Sequence, residues 1–271
     1  MDRRMKPFSG RVAHVSLRGE IIANFTEGEE AQVIAPIADL RTKPDGARDR
    51  QLLLGAAVTI IDQEQGYAFV QARRDGYCGW VRQSDLGQGP EPTHWVVAPS
   101  THLYTEPVVQ APEKAGISLG CRVALTGSWG AWANTPHGYV PIAHLRPIGQ
   151  WAPDPVSVAE SLLGTPYLWG GNTRFGIDCS GLVQVALHAS GRDCPGDSDM
   201  QIAMGRALTP TERLQRGDLI FWKGHVAMVV NPEVLIHANG GTMSVAYEGI
   251  REAVTRIADT GGGLVQARQR L

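Results

Sequence analysis

The feature that most restricts the fold of this 271-residue chain is an internal repeat in its first half. Val33-Ile-Ala-Pro36, followed by Leu40-Arg-Thr-Lys-Pro44, returns 63 positions later as Val96-Val-Ala-Pro99, followed by Leu103-Tyr-Thr-Glu-Pro107. Each copy consists of short apolar runs separated by glycine and proline, which is typical of a small β-barrel. The repeat therefore predicts two barrels in tandem, over residues 31–88 and 92–148.

Strand-sized runs within the copies make this prediction specific. The expected strands are Val58 to Asp62, Tyr67 to Ala72 and Tyr77 to Val81 in the first copy, and Arg122 to Thr126 and Trp132 to Thr135 in the second. Ahead of them, residues 1–30 carry one weak strand-like run, Val12 to Leu17. We interpret this segment as an arm that packs across later domains.

The second half has a different pattern. A proline-containing linker ends at Asp154-Pro155, which predicts a helix with an aspartate cap carrying Val156, Ala159, Leu162 and Leu163 on one face. A second helix, from Cys179 to Gly191, precedes a short helix capped by Ser198 and running through Met204. Strands are then expected over 216–222, 225–230, 234–238 and 263–268. Helices followed by an antiparallel sheet indicate an α+β domain over residues 152–271.

Cys179 stands at the predicted start of the second helix, after a glycine-rich run. The unpaired N–H groups and the positive dipole end of a first helical turn favour a thiolate, the nucleophilic form of cysteine. The alternative is a small apolar side chain that fills a helix start.

Two histidines favour the catalytic interpretation. His225 and His237 lie on consecutive strands joined near Asn231–Glu233, so they are expected to face each other across the sheet. His225 would take the thiol proton and form an ion pair, and His237 would fix the tautomer of His225. A zinc site is the other possibility, but no Cys-x-x-Cys or His-x-x-x-His spacing supports it. We therefore expect no metal and no cofactor.

The chain resembles known families at these motifs. Residues 31–148 resemble bacterial SH3-like domains in their opening and closing strands. Residues 155–271 resemble the NlpC family of bacterial cysteine peptidases. The matching blocks are Gly164-Thr-Pro-Tyr-Leu-Trp-Gly-Gly171, Asp178-Cys-Ser-Gly-Leu-Val183, Arg216-Gly-Asp-Leu219, Gly224-His-Val226 and Ile236-His-Ala238. The resemblance implies a multi-domain fold: two small SH3-like β-barrels followed by an α+β papain-like, NlpC-type cysteine peptidase domain.

The resemblance also implies site residues. Cys179, His225 and His237 match the catalytic residues, and Tyr167 matches a tyrosine near the oxyanion. The matches for substrate binding are Asp178 for the free amine of L-alanine, Ser180 and Ser198 near the D-glutamate carboxylate, and Tyr77 and Asp49 in the first SH3-like domain, closing the amine pocket. The last block, His237-Ala-Asn-Gly-Gly-Thr242, departs from the pattern because bulkier residues are expected after its asparagine.

Composition sets the expected compartment and partners. The net charge of −2 gives no reason to expect a nucleic acid or an anionic membrane as partner. The basic start of the chain has no apolar stretch behind it, and Cys78, Cys121, Cys179 and Cys194 lack paired spacing, so we expect a reducing cytoplasm.

The arrangement with two SH3-like domains looks like that of γ-D-glutamyl-L-diamino-acid endopeptidases of the dipeptidyl-peptidase VI type. The expected function is hydrolysis of that bond in short murein peptides with a free N-terminal L-Ala, during cell-wall recycling. The alternatives are an exported murein hydrolase that binds the wall polymer, a non-catalytic peptide-binding protein, and an acyltransferase. The oligomeric state and the diamino acid stay open.

Overall fold

The computed structural model describes residues 2–271, which divide into two compact units between Gln150 and Trp151. Met1, the first residue of the predicted arm, lies outside the described residues. Within that range, none of the helices has the length and apolar character needed to cross a bilayer.

The first unit is built from strands and short 3₁₀ turns. Its strands are β1 (Val12–His14), β2 (Asn24–Thr26), β3 (Glu29–Val33), β4 (Ile37–Arg41), β5 (Arg48–Leu53), β6 (Ala57–Glu64), β7 (Tyr67–Ala72), β8 (Cys78–Arg82), β9 (Leu86–Gly87), β10 (His94–Val96), β11 (Ser100–Tyr104), β12 (Glu113–Ser118), β13 (Arg122–Val123), β14 (Gly127–Trp129), β15 (Trp132–Thr135), β16 (Gly138–Pro141) and β17 (Leu145–Pro147).

The first repeat forms one antiparallel sheet in the order β5-β4-β8-β7-β6-β3-β9. Side chains alternate along a strand, and one set from each strand meets in an apolar core that includes Leu40, Val58 and Val70. The other set on β7 is also buried, because Val12 of the arm packs beside Tyr67 and Phe69. The arm thus covers part of the sheet formed by the first repeat.

The second repeat forms two smaller sheets, β13-β10-β17 and β12-β11-β16-β15-β14. Its core contains Val96, Leu103, Ile117 and Val140, together with Leu54 from the first repeat. The backbone N–H of Arg122 donates to the carbonyl of Leu54 at 2.8 Å. The two repeats therefore share a seam made of backbone and core atoms.

Equivalent hydrogen bonds recur in the two repeats. The N–H of Gly55 donates to the carbonyl of Val33, and the N–H of Gly120 donates to that of Val96, both at 2.9 Å. Both glycines have a positive φ, 78° and 90°, a conformation that side chains with a Cβ rarely adopt. The sequence repeat is therefore also a repeat of backbone geometry.

The second unit contains helices and a six-stranded sheet. Its elements are α1 (Pro155–Glu160), β18 (Asn172–Thr173), β19 (Gly176–Ile177), α2 (Cys179–Ala189), α3 (Ser198–Gln201), β20 (Arg206–Ala207), β21 (Leu219–Trp222), β22 (His225–Asn231), β23 (Val234–Asn239), β24 (Ser244–Gly249), α4 (Ile250–Asp259) and β25 (Ala267–Arg270). The antiparallel sheet has the order β20-β25-β21-β22-β23-β24.

This sheet is buried on both faces. Ile220, Ala227 and Leu235 pack with Ile257 of α4 in one apolar cluster. Neighbouring positions such as Met228 are also fully buried, and α2 contacts β22 and β23. Strands that are covered on both faces consist of continuous runs of apolar residues. Such runs predict buried strands from the sequence alone.

Several predicted boundaries were wrong. The first helix ends at Glu160, so Leu162 and Leu163 lie in the turns that follow it. The short helix spans Ser198–Gln201 and its N-cap is Asp197, not Ser198. The last strand begins at Ala267, four residues later than predicted, since Gly261 and Gly263 adopt positive φ values in the preceding turn. Strand β24 and helix α4 were not predicted.

Candidate active site

Cys179 is the first residue of α2, as predicted. Asp178 caps this helix: its Oδ1 accepts from the N–H of Gly181 at 2.6 Å and from Ser180 Oγ at 3.0 Å. Its Oδ2 accepts from the N–H of Gly170 at 2.9 Å. One carboxylate thus fastens the glycine-rich loop to the first turn of the cysteine helix.

Glycines allow that close approach. A Cβ at Gly181 would collide with the carbonyl oxygen of Gly171, and a Cβ at Gly171 would collide with that of Gly176. Only glycine fits where two backbones approach so closely. The glycine-rich motif therefore positions the cysteine helix against the loop rather than making the loop flexible.

The environment of the Cys179 sulfur opposes ionisation in the resting state. Burial, and then the charge of Asp178, raise the pKa of the thiol to about 12, while the backbone N–H groups of Val226, Ser180 and Cys179 itself act in the lowering direction. Desolvation disfavours the charged form and outweighs the helix start. Since Val226 follows His225 directly, its contact with the sulfur brings the start of β22 to the nucleophile.

The two histidines lie together on the hairpin formed by β22 and β23. His225 Nε2 is 2.9 Å from His237 Nδ1, which confirms that they face each other. Burial lowers the pKa of His225 to about 3 and that of His237 to about 4. The resting imidazoles are therefore neutral, and the ion pair expected from the sequence has to form as the reaction proceeds.

Two further residues complete this chain of contacts. His237 is fully buried, and its Nε2 lies 3.0 Å from Glu248 Oε2. Arg256 donates to both oxygens of Glu248, at 2.8 and 2.7 Å. Glu248 lies on β24 and Arg256 on α4, so the sequence analysis missed both along with the elements that carry them.

Tyr167 lies beside the nucleophile. Burial raises the pKa of its phenol, with further contributions from the charges of Cys179 and Asp178. Its backbone N–H donates to the carbonyl of Met243 at 2.8 Å, which holds this loop against the turn before β24. The phenol therefore stays protonated and can donate a hydrogen bond next to the sulfur.

The two predicted serines lie at the starts of two helices, Ser180 in the first turn of α2 and Ser198 in that of α3. Ser180 is buried and its hydroxyl is within hydrogen-bond distance of Asp178, as given above. Ser198, 9% exposed, starts α3. Gln201 of α3 donates to the carbonyl of Ser180 at 3.0 Å, which connects the two segments.

Tyr77 and Asp49 belong to the first unit. Tyr77 is a member of the core of the first barrel. Asp49 accepts two hydrogen bonds from Arg3, at 2.7 and 3.1 Å. The charge of Tyr77 also contributes to raising the pKa of Arg3, so both residues neighbour this guanidinium. Their assignment to an amine pocket stays a prediction.

A cysteine at a helix start, whose sulfur contacts the strand that begins with one of two paired histidines on an antiparallel sheet, is the arrangement of a papain-like cysteine peptidase. Comparison with known proteins agrees: the NlpC/P60 family profile matches residues 164–259, and the bacterial dipeptidyl-peptidase SH3 domain profile matches residues 40–86. The chain thus contains a cysteine peptidase domain of the NlpC/P60 type, with an SH3 domain N-terminal to it.

Relatives cover most of the chain. A γ-D-glutamyl-L-lysine dipeptidyl-peptidase of Bacillus cereus is 29% identical, over 73% of this chain and 69% of the relative. A dipeptidyl-peptidase 6 of Lysinibacillus sphaericus is 28% identical, over 82% of this chain and 92% of the relative. The crystal structure of an NlpC/P60 family protein from Bacillus cereus has a TM-score of 0.75 at 23% identity, covering 89% of this chain and 99% of that one. This last similarity shows the shared fold.

Proposed function

We propose that this protein cleaves the γ-D-glutamyl-L-diamino-acid bond of short murein peptides that carry a free N-terminal L-alanine. The observation that carries the proposal is the position of Asp178, a buried carboxylate next to the nucleophile. Each carboxylate oxygen can accept two hydrogen bonds, so Oδ2, with one donor from Gly170, has capacity for an ammonium. The name of the γ-D-glutamyl-L-lysine dipeptidyl-peptidase relative supports the same bond.

The chemistry follows from the geometry of the site. Cys179 Sγ attacks the γ-D-glutamyl carbonyl carbon while its proton passes to His225, and His237 accepts a hydrogen bond from His225. The backbone N–H of Cys179 and the phenol of Tyr167 stabilise the oxyanion. His225 then protonates the departing amine of the diamino acid, which leaves a thioester on Cys179. Water, deprotonated by His225, hydrolyses the thioester and releases L-Ala-γ-D-Glu.

The buried serines complete the proposed substrate site. Ser198, at the start of α3, can donate to the D-glutamate α-carboxylate, and Ser180 can do so once its hydroxyl leaves Asp178 Oδ1. Hydroxyl donors suit an anion in a site that already contains the carboxylate of Asp178, since they add no competing cation for the ammonium.

We further propose that residues 92–148 form a second SH3-like domain. The recurring hydrogen bonds at Gly55 and Gly120 support this, as does the shared pairing pattern in which β4 pairs with β5 and β8, and β11 pairs with β12 and β16.

A cytoplasmic role in murein peptide recycling is proposed as well. The four cysteines are free and buried, which fits a reducing compartment.

Mass spectrometry of two synthetic peptides tests the function. The purified protein should release L-Ala-γ-D-Glu from L-Ala-γ-D-Glu-diaminopimelate and leave the N-acetylated form of the same peptide uncut. The Cys179→Ala variant, which should bind substrate without turnover, is the matched control. Equal cleavage of the free and the blocked peptide would contradict the proposal.

A further inference from the structure

The environment of His237 fixes which nitrogen carries its proton. Glu248 is held by two hydrogen bonds from Arg256, which lower the pKa of its carboxyl below the usual range. An ionised carboxylate only accepts hydrogen bonds. A bare ring nitrogen buried 3.0 Å from it would place two lone pairs against each other, so His237 Nε2 has to carry a proton.

This proton sets the polarity of the next contact. A neutral imidazole has one N–H, so a proton on Nε2 leaves His237 Nδ1 as an acceptor. The nitrogen 2.9 Å away, His225 Nε2, then has to be the donor. His225 Nδ1 is left unprotonated, which is the state that a general base for the Cys179 thiol requires.

We propose that Glu248, held by Arg256, is a positioning residue that sets the tautomers of both histidines and thereby leaves His225 free to accept the thiol proton. Glu248 does not contact the sulfur; it acts through His237. The inference deepens the proposed function, because it rests on the same nucleophile and base.

Charges from each neighbouring element act on this pair. Arg256 on α4 lowers the pKa of both histidines, and Glu248 on β24 raises it. The start of α2 contributes the Cys179 thiol, and the loop before it contributes the Asp178 carboxylate and the neutral Tyr167 phenol. Loss of Glu248 alone would leave Arg256 unbalanced near His225, which would disfavour the imidazolium that forms during the reaction.

Nuclear magnetic resonance of the unmodified protein tests the tautomers without any substrate. In protein labelled with ¹⁵N-histidine, two-bond ¹H–¹⁵N correlations distinguish protonated from bare ring nitrogens. Assignment among the eight histidines of the chain follows from single replacements. At pH 7 we expect both His225 and His237 to be neutral and protonated on Nε2. A proton on His237 Nδ1 would overturn the inference.

The Glu248→Gln variant tests the consequence for reactivity. Its amide places an N–H group toward either Arg256 or His237, so His237 should show a mixture of tautomers. We expect alkylation of Cys179 by iodoacetamide at pH 7 to slow by about 10- to 100-fold, the range seen when a group that orients a histidine is removed. The turnover number should fall by a similar factor, with KM changing less than about two-fold.

Glu233→Gln is the matched control, because it removes the same charge from an exposed turn of the same sheet. It should leave both rates unchanged. A folded Glu248→Gln protein with wild-type alkylation and a single His237 tautomer would refute the inference. The tautomer and alkylation measurements use no peptide, so an error in the proposed substrate would affect only the turnover number and not the test of the inference.

Discussion

Asp178 is expected to perform two tasks that substitution can separate. Its carboxylate accepts hydrogen bonds from Gly170, Ser180 and Gly181, and it faces the substrate ammonium in the proposed complex. Asparagine caps helices about as well as aspartate, whereas alanine does not. We therefore compare Asp178→Asn, which keeps an acceptor and loses the charge, with Asp178→Ala, which loses both.

The expected magnitudes differ for stability and recognition. Alanine should lower the free energy of unfolding by about 2–4 kcal/mol, from the lost cap, typically about 1 kcal/mol, and the unpaired Gly170 N–H, about 1–3 kcal/mol. The asparagine variant should lower the free energy of unfolding by about half as much as the alanine variant. Loss of the charge removes a charge-assisted contact to the ammonium, about 1.5–3 kcal/mol, which corresponds to roughly 10- to 150-fold in kcat/KM for the free-amine peptide.

Chemical denaturation measures the first quantity, and kcat/KM for the free and N-acetylated peptides measures the second. Because Asp178 contributes to the raised pKa of Cys179, the asparagine variant should also react faster with iodoacetamide at neutral pH. An Asp178→Asn enzyme that still prefers the free amine as strongly as wild type would refute the assignment of Asp178 to amine recognition.

Three further predictions concern chemistry, stability and pH. Cys179→Ala should abolish thioester formation, seen as loss of the acyl-enzyme mass, with an unchanged melting temperature. Turnover at the wild-type rate would exclude Cys179 as the nucleophile. Asp218 is 1% exposed and pairs with Arg270 at 2.8 and 2.9 Å, so Asp218→Ala should destabilise the second unit by about 3 kcal/mol in urea unfolding; a loss below about 1 kcal/mol would contradict this. The pKa of Asp62 is lowered by Arg11 and Ser9 against a raising effect of burial, so its contribution is present above the ordinary value of 3.8 and is lost as the pH falls through the lowered pKa. The protection of the arm near Arg11 against hydrogen exchange, relative to the intrinsic exchange rate at each pH, should therefore fall at low pH, and pH-independent protection would speak against this anchor.

The elements that carry the candidate catalytic residues could be predicted because each residue has a local signature. Cys179 follows a cap and begins a periodic helix, and the histidines stand at defined places on two apolar strands. These patterns are short-range, so one sequence is sufficient to recognise them. The SH3-like repeat was visible for the same reason, since its turns require glycine and proline at fixed positions.

Glu248 and Arg256 could not be found in this way. Glu248 neighbours His237 only because β24 pairs with β23 in the register that places Ala246 opposite His237. The strand that carries it, Ser244–Gly249, has mixed burial and lacks the continuous apolar run of its neighbours. The direction of the thiol pKa was also not predictable, because desolvation depends on tertiary packing, whereas the helix start is local.

The packing of Leu54 between the two repeats determines how the first unit unfolds. Because Leu54 fills the interior of the second repeat while the turn that carries it follows β5 of the first, the second copy lacks a complete set of interior contacts on its own. Separating the repeats would leave a cavity in the second repeat and expose the apolar Leu54 side chain on the first. The tandem pair should thus melt as one cooperative block, and a gene fragment that encodes a single copy should yield an insoluble product.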